Sequence, residues 1–265
     1  MTKNNDTQAE SGLPLYAIER SQAGDFPFYN GAPVALSGVQ WLIVLLGVIL
    51  GFLALTVPIL PMAFYETTLG TFVPAILFFA LPLIALAAVA GPHWRALFRT
   101  PGWRDFLLMI GIALLNLIVA VAVVLLVRLV FAMNANPVGD MLGAFSSSET
   151  VLFYLKTLPQ LFGEEVVSIL PFLALLWLCH QKLQLSRKSA LLLAWLGTAL
   201  FFGAIHLPTY GWNWVQCFLV IGSARLVLLL GYIITKNIWV STGAHIINDW
   251  LIFTLIVVMG PEAVT

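Results

Sequence analysis

This sequence is poor in charge. Charged side chains make up 9% of its 265 residues, where a soluble domain carries about a quarter. Lys and Arg together balance Asp and Glu, leaving a net charge of zero, and the basic residues are dispersed. That excludes the basic stripe on which nucleic-acid binding depends, so no polynucleotide partner is expected. Cysteine is nearly absent too: Cys179 and Cys217 are the two present. The topology derived below puts them at opposite membrane faces, too far apart to bridge, so no disulfide framework holds this fold. There is no internal repeat, no low-complexity tract and no second soluble domain. The first 36 residues lack a basic-then-apolar run ending in a small-residue cleavage site, and they read as a polar, solvated N-terminal arm, not a signal peptide.

What remains is apolar. Hydrophobic residues reach 61%, more than a globular core absorbs, so the solvent for most of the chain is lipid. Crossing a hydrocarbon layer of roughly 30 Å takes about 20 helical residues. Spans of that kind fall near residues 37–60, 68–90, 105–130, 150–178, 190–207, 213–234 and 238–260. The expected fold is therefore all-α: a polytopic bundle of about seven transmembrane helices over 37–265. Basic residues test this independently, because cytoplasmic loops collect Lys and Arg. Lys3, Arg20, Arg95, Arg99, Arg104, Lys182, Arg187, Lys188 and Lys236 all fall on one side of the alternating loops. The opposite loops, around Glu66, from Asn134 to Glu149 and from Leu207 to Asn213, hold neither Lys nor Arg. That asymmetry places the N-terminus inside and the C-terminus outside.

Most acids, with His93 and His180, lie in the arm or loops, where a solvated position suffices. Arg128 and Lys156 sit nearer helix ends, where long side chains snorkel. Glu164, Glu165, His206, Arg225, His245 and Asp249 are left embedded, and each charged group at a helix centre costs roughly 2.5–3.5 kcal/mol on insertion scales. His245 and Asp249, four apart, share a helical face that Asn248 can also reach. Phe202 and His206 have the same spacing, which lets the ring restrain the imidazole. Glu164 and Glu165 are adjacent and point about 100° apart, so one is expected to react and the other to support it.

The pair Glu164-Glu165, the run Phe202-Gly203-Ala204-Ile205-His206 and the run His245-Ile246-Ile247-Asn248-Asp249 resemble the three motifs of the CAAX protease and bacteriocin-processing (Abi) family, over roughly residues 150–255. The resemblance implies a metal-independent intramembrane glutamate peptidase with no cofactor. In it, Glu164 with His206 activates a water, His245 donates to the developing oxyanion, and Asp249 orients His245. It also implies a peptide or membrane-associated protein as substrate, such as a prenylated C-terminus or a bacteriocin or pheromone leader, and a multi-pass place in a membrane; the short arm and small loops favour the plasma membrane of a bacterium.

In that family an Arg follows the second Glu by four residues; here the position is Ile169. A buried carboxylate left alone costs several kcal/mol, and Arg225 is the one basic residue near the middle of a span. Arg225 is therefore expected to reach across helices and pair with Glu165. Other readings of the same groups stay open: helix-locking pairs, a zinc site built on His206 and His245, a proton relay in a transporter, or a non-catalytic adaptor or immunity protein.

Overall fold

The computed structural model describes residues 16–20 and 24–260. The start of the arm, with Lys3, and the last five residues lie outside the described residues. Among the described residues seven helices are long and apolar enough to cross a membrane, at the positions expected from hydropathy. In chain order the helices are α1 (Gly38–Thr56), the short α2 (Met62–Tyr65), α3 (Val73–Ala90), α4 (Trp103–Arg128), α5 (Pro137–Ala144), α6 (Ser147–Trp177), α7 (Arg187–Ile205), α8 (Gly222–Thr235) and α9 (Ile238–Met259). α2 and α5 belong to the connections. A 3₁₀ segment, Gly91–Leu97, continues α3; π-helical turns extend α6 over Leu178–Lys182 and precede α8 over Gln216–Ile221.

Local chemistry sets several of these boundaries. Ser37 and Gln40 form a reciprocal capping box at the start of α1, and Ser146 with Glu149 does the same for α6; each satisfies amide groups that a helix start leaves unpaired. The Asn237 side chain accepts from Trp239 N and starts α9. α6 is the central post. It packs against α1, α3, α7 and α9, and 72% of its most apolar window is buried, against 22–50% for the other spans. That burial explains how a span carrying two adjacent glutamates can stand in the middle: protein, not lipid, surrounds it.

Between helices in lipid there is little hydrophobic drive, so close backbone approach carries the packing. α1 meets α3 at Gly51, where an added Cβ would lie 2.6 Å from the Phe78 carbonyl oxygen. α8 meets α9 at Gly231, where it would lie 2.9 Å from the Ser241 backbone.

The solvated arm expected from the sequence is not what residues 16–20 and 24–36 form. Phe26, Phe28, Tyr29 and Leu36 belong to the same buried cluster as Phe172, Tyr232 and Trp41. Phe26 stands edge-on to Phe172 at 5.4 Å. Glu19 and Lys236, both placed among solvated groups by the sequence, are buried: Glu19 accepts from Arg187 at 2.7 and 2.8 Å and from Lys236 Nζ at 2.7 Å. Asp25 also accepts from Arg187, at 2.7 Å. The polarity of the arm is thus spent on the loop ends of α7 and α8, and its aromatic residues complete the core beneath them.

Candidate active site

Four spans bring the embedded polar groups together. α6 carries Glu164 and Glu165, α7 ends at His206, α8 carries Arg225, and α9 carries His245, Asn248 and Asp249. His206 stands at the end of α7 and His245 in the first half of α9, positions that by sequence alone put them at different depths. The α6–α7 register removes the mismatch. Gly197 packs against Leu175, and in an antiparallel pair the residue nine past Gly197, His206, is level with the residue nine before Leu175, Val166. His206 therefore comes alongside the Glu164–Glu165 pair.

The two adjacent glutamates part ways as their 100° offset requires. Glu165 is fully buried; one oxygen, Oε1, accepts from Arg225 Nη1 at 2.5 Å and from His245 Nδ1 at 2.8 Å. The cation expected across the helices for want of an arginine at Ile169 is present. Arg225 is fully buried as well, and its guanidinium lies 3.7 Å from the centroid of the Phe202 ring, a desolvated cation–π contact. Phe202 in turn packs on His206, ring centroids 4.5 Å apart. It stands between the Arg225 guanidinium and the His206 ring. Glu165 Oε2 and Arg225 Nε and Nη2 have no hydrogen-bond partner among the described residues.

Glu164 faces the other way. From Gly163 to Ala174 every residue of α6 is buried except Glu164, whose side chain keeps 14% of its surface exposed. Gln160, one turn away, is 3.4 Å from its Oε1. Its Oε2 lies 3.7 Å from His245 Nε2, and Asp249 Oδ2 lies 3.6 Å from the same nitrogen. His245 is therefore the hub: Nδ1–H is committed to Glu165, and Nε2 faces both Glu164 and Asp249. The sequence reading had Asp249 orient the ring; in the structure the hydrogen bond that fixes Nδ1 goes to Glu165 at 2.8 Å, because α6 presents its carboxylate there, while Asp249, four along the same helix, stands 3.6 Å from Nε2.

His206 is oriented independently. Its Nδ1–H donates to the Phe202 carbonyl at 2.8 Å, which leaves Nε2 unprotonated in the neutral ring. No hydrogen bond joins it directly to Glu164, although it is close enough to feel the charges of Glu164, Arg225 and His245. Asn248 does not reach His245. Its amide donates to Asp249 Oδ1 at 2.9 Å, and its carbonyl accepts from Asn116 Nδ2 at 3.1 Å. Among the described residues no group of three His, Cys, Asp or Glu side chains is arranged to hold a metal ion.

Residues 146–251 match the family model described as type II CAAX prenyl endopeptidase, Rce1-like. The chain carries an Rce1-like segment. It runs from the cap of α6 through His245 and Asp249, so it contains all three motifs and the family resemblance drawn from them. No curated protein and no solved structure matches the chain.

Two contributors to the site escaped the sequence reading. Asn116, on α4 and outside the Rce1-like segment, is 1% exposed; a signal was available, since it is the one polar side chain between Asp105 and Arg128. Tyr210 is buried in the turns after α7, where Asn134 Nδ2 donates to its carbonyl at 2.7 Å, and it feels the charges of Asp249 and Glu164. As sequence, Tyr210 reads with Trp212 and Trp214 as an interfacial aromatic belt, because periodicity does not report how a loop folds back.

Proposed function

We propose that this protein is a membrane endopeptidase in which Glu164 is the general base of a metal-independent hydrolysis. The observation that carries this reading is the division of labour between adjacent carboxylates: Glu165 is locked by Arg225 and His245, while Glu164 alone on its stretch of α6 stays accessible and faces His245 Nε2. A structural ion pair needs one acid, and Arg225 pairs with Glu165; among the described residues no Lys or Arg pairs with Glu164.

In the reaction a water sits between Glu164 and His206 Nε2. Glu164 removes its proton as the oxygen attacks the peptide carbonyl carbon. The carbonyl oxygen becomes an oxyanion and takes a hydrogen bond from Nε2–H of His245 in its imidazolium form, whose Nδ1–H is held by Glu165. One such donor, preset in a water-poor cavity, lowers a barrier by roughly 3–4 kcal/mol. The C–N bond then breaks, and Glu164 returns its proton to the leaving amine. Asp249, beside the same nitrogen, balances the imidazolium.

The Rce1-like match supports a peptide or membrane-associated protein as substrate; prenylated C-termini and the leaders of bacteriocins or pheromones are the classes to test, together with a role in bacteriocin immunity. The Lys and Arg asymmetry supports a multi-pass plasma-membrane protein with its N-terminus inside. The test is mass spectrometry of the reconstituted full chain and its Glu164→Gln variant against a peptide library containing prenylated and leader-type sequences. Cleavage by the wild type alone is expected. Equal cleavage by Glu164→Gln, or survival of a cellular phenotype in Glu164→Ala and His206→Ala, overturns the reading in favour of another base or of an adaptor.

A further inference from the structure

A lone amide on α4 must find a partner to be stable in a membrane helix, and the partner it finds leads to the site. α4 is apolar from Phe106 to Val127 apart from Asn116, and burying an amide in a membrane helix is unfavourable without a partner. Asn116 Nδ2 donates to Asn248 Oδ1 at 3.1 Å, Asn248 Nδ2 donates to Asp249 Oδ1 at 2.9 Å, and Asp249 Oδ2 lies 3.6 Å from His245 Nε2. Asn116 and Asn248 are 1% and 4% exposed, so water does not compete freely for these bonds.

An amide is asymmetric, and that gives the chain of contacts a direction. With its carbonyl held by Asn116, Asn248 must turn its NH₂ towards Asp249. Flipped, it would set its carbonyl oxygen against a carboxylate oxygen, two acceptors face to face, and its NH₂ against the NH₂ of Asn116. Asp249 is thereby held with Oδ1 on Asn248 and Oδ2 free towards His245. The charged and titratable groups facing Asp249 are His245 on α9, Glu164 on α6, Arg225 on α8 and Tyr210 in the turns after α7. How far the carboxylate can turn among them depends on the amide behind it.

We propose that Asn116, outside the Rce1-like segment, is a positioning residue of the active site, acting through Asn248 to fix the Asp249 carboxylate against His245. The catalytic half of this claim rests on the endopeptidase reading above; the positional half does not. With a peptide that the wild type cleaves, Asn116→Leu is expected to lower kcat about tenfold, as a small misplacement of a site group does, to leave KM unchanged and to displace the pH profile of kcat. Asn116→Gln, which keeps the amide, should restore most of the rate. In an Asp249→Asn background the Leu change should cost less than about twofold, because the carboxylate it positions is gone. An unaltered kcat and pH profile in Asn116→Leu, or an equal loss in both backgrounds, overturns the proposal. If Asn116→Leu does not fold, Asn116→Ala takes its place in the same comparison. Infrared titration of the reconstituted protein separates the two readings: a carboxyl band that Asp249→Asn removes should be displaced by the Asn116 change. If the wild type cleaves nothing, the endopeptidase reading fails, and the band alone decides: displaced, Asn116 positions Asp249; unmoved, it does not.

Discussion

Replacing Arg225 by Met removes the cation from a carboxylate that has no exposed surface. Glu165 Oε1 then keeps one donor, His245 Nδ1 at 2.8 Å, in place of two. Replacing Glu165 by Gln is the mirror case: the guanidinium of Arg225, 0% exposed, is left with the face of Phe202 and no anion. Breaking a buried pair from either side typically costs about 3–5 kcal/mol, because the partner remains as an uncompensated charge, whereas removing both charges together is often close to neutral. Each single variant is therefore expected to lose about 3–5 kcal/mol of unfolding free energy, a large share of a typical total of about 5–15 kcal/mol. The double variant Glu165→Gln/Arg225→Met should be more stable than either single one. The amide it carries in place of the Glu165 carboxylate retains a carbonyl oxygen for His245 Nδ1, so it should also keep more activity than Arg225→Met alone, in which Glu165 is free to take up a proton and turn. Reversible unfolding in mixed micelles, followed by tryptophan fluorescence, measures the cycle. Losses that simply add would mean the two groups do not depend on each other, and the account of Arg225 as the cation standing in for the arginine absent at Ile169 would be refuted.

At the arm, burial alone would raise the Glu19 carboxyl, but hydrogen bonds from Arg187 and Lys236 overcome it and hold it down, from 4.5 to about 2. A depressed folded value stabilises above the ordinary one and is lost as pH falls, so the stability gap between wild type and Glu19→Gln, up to about 3 kcal/mol, should shrink between pH 4.5 and about 2; a constant gap counts against the buried network. Gly231→Ala forces a methyl group against the Ser241 backbone and should cost roughly 1–3 kcal/mol, with activity falling as α8 and α9 separate; unfolding and cleavage assays on the same preparation check both. Asp249→Asn should retain part of the activity, since an amide can still sit beside His245, and complete loss would give Asp249 a charge-dependent role. A reporter placed in the Arg99 loop should read as cytoplasmic and one fused at Thr265 as external; the reverse result overturns the orientation and the side from which substrate arrives.

The seven spans were legible because crossing a bilayer is a local property: each segment must be long and apolar by itself, whatever its neighbours do. The same logic exposed Glu164, Glu165, His206, Arg225, His245 and Asp249, since a polar group retained in a lipid-soluble segment carries a cost that some partner must offset. It even named one partner, because Glu165 without an arginine at Ile169 needed a cation and Arg225 needed an anion. Helix rotation and register were not legible, since they arise between segments far apart in the chain. They alone decided that Glu165 and not Asp249 holds His245 Nδ1, that His206 stands level with Glu164, and that Asn116 of α4 reaches the site through Asn248. They also buried Glu19 and Lys236 against each other at 2.7 Å, where their charge and their place, one in the arm and one in a loop, had argued for water: two opposite charges brought together by the fold can leave solvent, and neither residue's own neighbours in sequence say that the other will be there.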